Sequence, residues 1–204
     1  MKLYFSPGAC SLSPHIVLHE LGLSFEPVQV DLSSKKTKDG SDFRKINPKG
    51  YVPALQLDDG AILTEGPAIV QYLADQKPAA GLAPANGTFA RYRLQEWLNF
   101  ISTELHKQFS PLFTPASTDA LKQAQQERLA ERFRQIVAAM GAAPYLMGDQ
   151  FTVADAYLYT VLTWAGFLGV DLTPFPALKA YMERVEARPA VRATLAAERA
   201  AKKG

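Results

Sequence analysis

Residues 77–87, Lys-Pro-Ala-Ala-Gly-Leu-Ala-Pro-Ala-Asn-Gly, mark a change in the period of the chain. Before this Pro/Ala/Gly-rich stretch, strand and helix patterns alternate; beyond it no strand pattern survives. Leu3-Tyr4-Phe5 is a short β-type run, and a Pro7-Gly8 turn leads into a helix with apolar Ile16, Val17, Leu18 and Leu21, stopped at Gly22. Ser11 or Ser13 can cap that helix, and Pro14 is tolerated only in its first turn. Residues 25–32 read as a second strand, 33–40 as a polar loop, and Asn47-Pro48-Lys49-Gly50 as a turn. A strand over 52–57, a hairpin turn at Asp58-Asp59-Gly60 and a returning strand over 61–63 precede a helix over 64–76. The order βαβ, a loop with a short helix, then ββα describes a mixed sheet with helices packed on it. Residues 88–112, 118–140, 152–168, 175–187 and 190–200 are all helical by period, and the Ala-rich tail from Ala196 to Gly204 is expected to fray. Two domains follow, an α/β domain over 1–80 and an all-α domain over 87–204.

The totals remove several classes of function. A net charge of +2 on 204 residues gives no electrostatic footprint for nucleic acid. The single cysteine excludes an internal disulfide and a thiolate zinc cage, and the scattered His15, His19 and His106 argue against a metal site. No apolar run near the start has signal-peptide form and none reaches membrane-spanning length, so a cytoplasmic protein with no membrane partner is expected.

The residues able to do chemistry are few. Cys10 sits where the first strand hands over to the first helix, a position whose unpaired N–H groups and dipole favour a thiolate; an isolated cysteine is equally a small buried hydrophobe. Val52-Pro53 opens a strand. A cis bond there would present the Val52 backbone to an extended peptide, while trans is the commoner form. Thr64-Glu65-Gly66-Pro67 opens the third helix, where backbone N–H groups can hold a carboxylate and Glu65 an ammonium; an ordinary helix start reads the same way. Leu94, Leu98, Ile101 and Leu105 form an apolar stripe, and Asn99, Thr103 and His106 a polar line on the adjacent face, either bordering a cleft or facing solvent. Lys35, in the polar loop, is a candidate carboxylate partner. Thr152-Val-Ala-Asp155 after Phe151 is a capping box and a folding signal.

Five stretches in this order, Pro-Gly-Ala-Cys10-Ser, Asn-Pro-Lys-Gly-Tyr-Val52-Pro53-Ala-Leu, Leu-Thr-Glu65-Gly66, Glu-Trp-Leu-Asn99-Phe and Phe-Thr-Val-Ala-Asp155-Ala-Tyr-Leu, resemble the cytosolic glutathione S-transferases. More narrowly the chain is similar to the bacterial beta class, marked by a cysteine at the first helix. The resemblance runs from Met1 to about Ala200. It implies a thioredoxin-like N-terminal domain, an all-helical C-terminal domain carrying the acceptor pocket, and a homodimer. It implies glutathione as co-substrate, with no other cofactor and no metal. Glu65 and Gly66 would hold the γ-glutamyl head, the backbone of Val52 with Pro53 cis would pair with the cysteinyl amide, and Lys35 would meet the glycyl carboxylate. Cys10 would lie beside the glutathione sulfur and His106 would approach from the helical domain, these two being the catalytic candidates. Asn99 and the turn Thr103, Glu104, Leu105, His106 would also touch the ligand, Asn99 and Thr103 in some cases from a neighbouring subunit. The chain departs from the beta class at Tyr4-Phe5, where the class has its tyrosine second. Phe5 has no hydroxyl, and Tyr4 points to the other face of the strand. Trp164 and Phe167 either line the acceptor pocket or belong to the core.

The activity so implied is conjugation of the glutathione thiol to small, mostly apolar electrophiles, a detoxification chemistry. Cys10 beside a glutathione sulfur also admits a mixed disulfide, hence thiol–disulfide exchange, or dehalogenation on the same scaffold. A non-catalytic ligand-binding protein is the alternative of another class.

Overall fold

The computed structural model describes residues 1–203. The chain divides into two compact units, Met1–Gly81 together with the stretch from Glu186 on, and Leu82–Val185. The sequence places all of 87–204 in one helical domain; the structure instead groups the last helix with the first unit.

In the first unit, β1 (Lys2–Phe5), β2 (Glu26–Asp31), β3 (Lys36–Thr37), β4 (Ala54–Gln56) and β5 (Ile62–Thr64) form one sheet in the order β3-β2-β1-β4-β5. β1 is central, parallel to β2 and antiparallel to β4, with Leu3 opposite Pro27 on one side and Leu55 on the other. Parallel neighbours need a crossover, and α1 (Leu12–Leu21) supplies it; Gly22, at φ 57, ends that helix with its N–H on the Leu18 and His19 carbonyls. The pleat sends Tyr4 and Phe5 to opposite faces. Tyr4 packs with Val30, Phe43, Val52 and Ala54, while the Phe5 ring meets His15 of α1 at 5.2 Å between centroids. The polar loop expected over 33–40 holds the short edge strand β3, which a Lys-rich composition hides. An edge strand of two residues carrying a lysine is how sheets blunt an exposed edge. α2 (Gly66–Gln76) follows β5 and packs on α1.

α9 (Pro189–Lys203) also packs on α1. The tail from Ala196 does not fray as expected: the helix continues through it, and only Gly204 lies outside the described residues. The physical reason is Glu198, which is 4% exposed. Its Oε2 accepts the Gly8 N–H at 2.8 Å and its Oε1 lies 3.0 Å from His15 Nδ1. Arg188, just before the helix, makes a two-pronged pair with Glu20 of α1 at 2.6 and 2.9 Å.

The second unit is helical: α3 (Phe89–Phe100), a π-helical segment (Ile101–His106), α4 (Lys107–Phe113), α5 (Asp119–Met140), α6 (Val153–Leu162), α7 (Trp164–Leu168) and α8 (Pro176–Glu186). The single helix expected over 88–112 is interrupted by the π segment, and that over 152–168 breaks at Thr163, whose hydroxyl donates to the Thr160 carbonyl at 2.6 Å. Every residue of α6 is buried, and the stripe Leu94, Leu98, Ile101, Leu105 is buried as its period requires. Asp155 serves the expected capping box, accepting from the Thr152 N–H at 2.8 Å and hydroxyl at 2.9 Å. It also accepts from the Leu146 N–H at 2.9 Å and the Tyr181 hydroxyl at 3.1 Å. Burial pushes the Asp155 carboxyl up, and these four donors pull against it.

Replacing Glu198 by Ala leaves the buried His15 without that partner and removes the acceptor of the Gly8 N–H. Glu198→Ala is expected to cost about 3 kcal/mol, roughly 6 to 12 °C in Tm for a chain of this size. Glu198→Gln, which keeps an acceptor for Gly8, should cost less; urea and thermal unfolding read both.

Candidate active site

Among the candidate residues of the first unit, Cys10 and Val52 meet directly. Cys10 does not lie in α1 but in the tight turn that precedes it, where Ala9 N–H bonds the Ser6 carbonyl and Leu12 N–H the Ala9 carbonyl, each at 3.0 Å. Neither expected serine caps the helix. Ser11 clasps the turn instead, its Oγ accepting the Ser6 N–H at 3.1 Å and donating to the Ser6 carbonyl at 3.2 Å. With Gly8 at φ 77 fixed by Glu198, the turn is tied at both ends. The half-buried Cys10 thiol then donates to the Val52 carbonyl at 3.2 Å. The Val52–Pro53 peptide bond is cis.

Pro53 reaches the start of α2, since a Cβ on Gly66 would stand 3.9 Å from Pro53 Cγ. Glu65, just ahead, holds φ 71 and ψ 115, a conformation rarely adopted by a residue with a side chain. Its carbonyl accepts the Ala68 and Ile69 N–H groups at 3.0 Å, and no side chain caps the helix. Its carboxylate meets Lys49 Nζ at 2.7 Å. On the other flank, Lys35 holds φ 58, its stem passes 3.4 Å from where a Gly50 Cβ would be, and its ammonium stands 5.7 Å from the centre of the Tyr51 ring. Thus Lys35, Val52 and Cys10 form one contiguous patch, continued by Pro53, Gly66 and Glu65.

Residues that sequence reasoning did not assign to the site hold this patch in shape. Asn47, 2% exposed, accepts the Lys49 N–H at 3.2 Å and donates to the Tyr51 carbonyl at 2.7 Å. Gly50 turns at φ 66. The Asn-Pro-Lys-Gly tetrad was readable as a turn, but nothing in its spacing said that Lys49 would face Glu65. Tyr4 donates to Gln56 Oε1 at 3.0 Å on the neighbouring strand, and burial pushes its phenol up, so it is no thiol activator.

In the second unit, Thr103, Glu104, Leu105 and His106 all fall on the π segment and Asn99 just ahead of it. Wider π turns change which residues share a face, so the polar line drawn from a 3.6 period does not carry over; π insertions recur at functional sites. Thr103 Oγ donates to the Asn99 carbonyl at 3.1 Å, and Glu104 pairs with Arg132 of α5 at 2.7 Å. The Leu105 side chain is fully buried in the helical core. His106 Nδ1 lies 2.7 Å from the Tyr157 hydroxyl, and its ring stands edge-on to Trp164 at 4.8 Å. Trp164 is 3% exposed and belongs to the core, ringed by His106, Phe109 and Phe113; Phe167 is 64% exposed, its ring tilted against Phe113 at 5.8 Å between centroids.

Residues 8–76 match the glutathione S-transferase N-terminal domain model and residues 100–189 the C-terminal domain model. The chain belongs to the glutathione S-transferase family. It is 46% identical over 198 residues to glutathione S-transferase GstA of Escherichia coli, covering 97% of this chain and 98% of that one. A sphingomonad glutathione S-transferase solved in complex with glutathione is 50% identical with a TM-score of 0.94, covering 97% and 98% of the two chains. A beta-class glutathione S-transferase of Sphingomonas chungbukensis is 48% identical with the same TM-score and coverage. Among the described residues no group of three or more His, Cys, Asp or Glu side chains could hold a metal ion, and no helix is long and apolar enough to cross a membrane.

The Glu65 backbone stores strain that glycine would not. Glu65→Gly is expected to raise stability by about 1 kcal/mol, the strain relieved outweighing the added freedom of the unfolded chain, while removing the carboxylate from the site. Urea unfolding measures it.

Proposed function

We propose that this glutathione transferase binds glutathione along the cis Val52–Pro53 edge and conjugates its thiol to small, mostly apolar electrophiles. The observation that carries the reading is the 3.2 Å contact between the one cysteine of the chain and the Val52 carbonyl. A peptide laid along that edge has its central residue next to Cys10. Glu65 and Gly66 take the γ-glutamyl head and Lys35 the glycyl carboxylate. Cys10 lies beside the incoming sulfur and assists its ionisation. The thiolate attacks the electrophilic carbon, the C–S bond forms as the bond to the leaving group breaks, and the thiol proton passes to solvent. Asn99, Thr103, Glu104, the backbone at Leu105, and His106 are assigned to the ligand by family resemblance. His106 is the second catalytic candidate, with Tyr157 against its Nδ1.

Thiolate formation is not the whole catalyst. A thiol of pKa ≈ 8.5 is about 3% ionised at pH 7, and lowering it to ~6.5 gives about 75%. The accompanying loss of nucleophilicity, for a Brønsted slope of about 0.45, leaves a net gain of only about threefold. Holding the two reactants together must supply most of the rate.

The position of Cys10 favours a second reaction at the same place. Its thiolate can attack the disulfide between glutathione and another thiol, forming a Cys10–glutathione disulfide and releasing that other thiol as its thiolate. A free glutathione thiolate then displaces Cys10, since the chain has no other cysteine to do so, and leaves as glutathione disulfide. The reading includes a homodimer and a cytoplasmic location. Phe89 and Tyr92 on α3, 79% and 59% exposed, are apolar surface suited to association, and light scattering on the purified protein tests the dimer.

The test is the initial rate of conjugation to an activated aryl halide against a no-enzyme blank. Wild type is expected to exceed the blank clearly, and Cys10→Ala to lose most of the rate. A wild type no faster than the blank, with glutathione not retained in calorimetry, ends the reading. A Cys10→Ala variant with full conjugation and no mixed disulfide by mass spectrometry would confine Cys10 to the disulfide reaction.

A further inference from the structure

Glutathione carries two carboxylates and one ammonium. The patch around Val52 carries the mirror set: the ammonium groups of Lys35 and Lys49 and the carboxylate of Glu65. We propose that Lys49 is a specificity-determining residue of the γ-glutamyl subsite, the counter-charge for the α-carboxylate of the head; this rests on the glutathione reading.

The argument begins with the pair itself. Lys49 Nζ lies 2.7 Å from Glu65 Oε1, with the two side chains 54% and 67% exposed. Such a surface pair contributes little to stability, so stability does not account for the structure spent on placing it. Lys49 stands on a rigid turn, with its N–H on Asn47 Oδ1 at 3.2 Å, Gly50 N–H on the Asn47 carbonyl at 2.8 Å, and Asn47 buried. Glu65 is held at φ 71 on the other side. Both ends of an exposed pair are therefore fixed by the backbone.

The electrostatics of the head explain why both are needed. The ligand's ammonium needs the Glu65 carboxylate, but that carboxylate stands beside the α2 N-terminus, where the Gly66 N–H and the helix dipole meet the ligand's α-carboxylate. Like charges so close disfavour one another. Lys49 cancels the charge of Glu65, and as the ligand ammonium takes up the carboxylate, the Lys49 ammonium turns to the α-carboxylate. The result is an alternating set of two positive and two negative groups. Lys35, past Gly50 and over Tyr51 on the opposite flank, keeps the same relation to the glycyl end.

Three peptides separate this from a general effect: glutathione, glutaryl-Cys-Gly, which lacks the α-ammonium, and 4-aminobutanoyl-Cys-Gly, which lacks the α-carboxylate. Lys49→Met is expected to raise KM about tenfold for glutathione and for the glutaryl peptide and to leave KM for the aminobutanoyl peptide unchanged. kcat should stay within twofold, and Lys49→Arg should restore most of the loss. Equal losses on all three peptides, or none on any, overturn the proposal, as does a fall in kcat with KM unmoved. Calorimetric binding of glutathione to wild type is the separate control. If wild type does not bind glutathione, the parent reading fails; if it binds and Lys49→Met behaves alike on all three peptides, only the role of Lys49 fails. The thermal midpoint of Lys49→Met should match wild type, because an exposed pair holds little stability.

Discussion

The buried carboxylate of Glu198 fixes the turn on which the rest of the site depends. A short turn between a strand and a helix has few side chains with which to hold itself, and the Ser6–Cys10 turn contains a proline, a glycine and an alanine. Its geometry comes from outside: one oxygen of Glu198 on the Gly8 N–H, the other against His15 of α1. Ser11 closes the turn from within. With the turn set, the Cys10 thiol meets the Val52 carbonyl. Removing a buried carboxylate from water is costly unless its oxygens are bonded, and here each oxygen is used to hold a different element against α9.

Around that anchor the site is made of backbone in uncommon conformations. Lys35 at φ 58, Glu65 at φ 71, Gly8 at φ 77 and Gly50 at φ 66 all bear on it. Unusual backbone at non-glycine positions costs stability and is kept where the surroundings enforce it. In this unit those positions carry the charged groups assigned to the ligand. Charge placement and backbone strain are thus one device: the strain aims the side chains that a relaxed chain would leave to solvent.

The architecture was legible in the sequence because it is written in period. β1, β2, β4, β5 and the major helices follow alternation or a 3.6-residue stripe, and Thr152 and Asp155 announce a helix start that the structure makes with the same two groups. What stayed hidden had no local signal. β3 is too short and too polar to show alternation. The π segment has the composition of an α-helix, so the line drawn through Asn99, Thr103 and His106 assumed the wrong turn width. The facing of Lys49 and Glu65 spans a strand pair and a hairpin. The capping role expected of Ser11 is not taken up, and its hydroxyl bonds both backbone groups of Ser6 instead. The tail from Ala196 looked free because Glu198, an ordinary acid in an Ala-rich run, pairs with residues that lie at the other end of the chain.

That last pairing sets an order on the making of the protein. β1, α1 and Cys10 are synthesised well before α9, yet the carboxylate that holds the Gly8 N–H is the side chain of Glu198. Until α9 has been made and docked on α1, the turn has only Ser11 to hold it. The setting of the thiol is therefore completed across a separation of 190 residues, and a product that stops short of α9 has the cysteine without it.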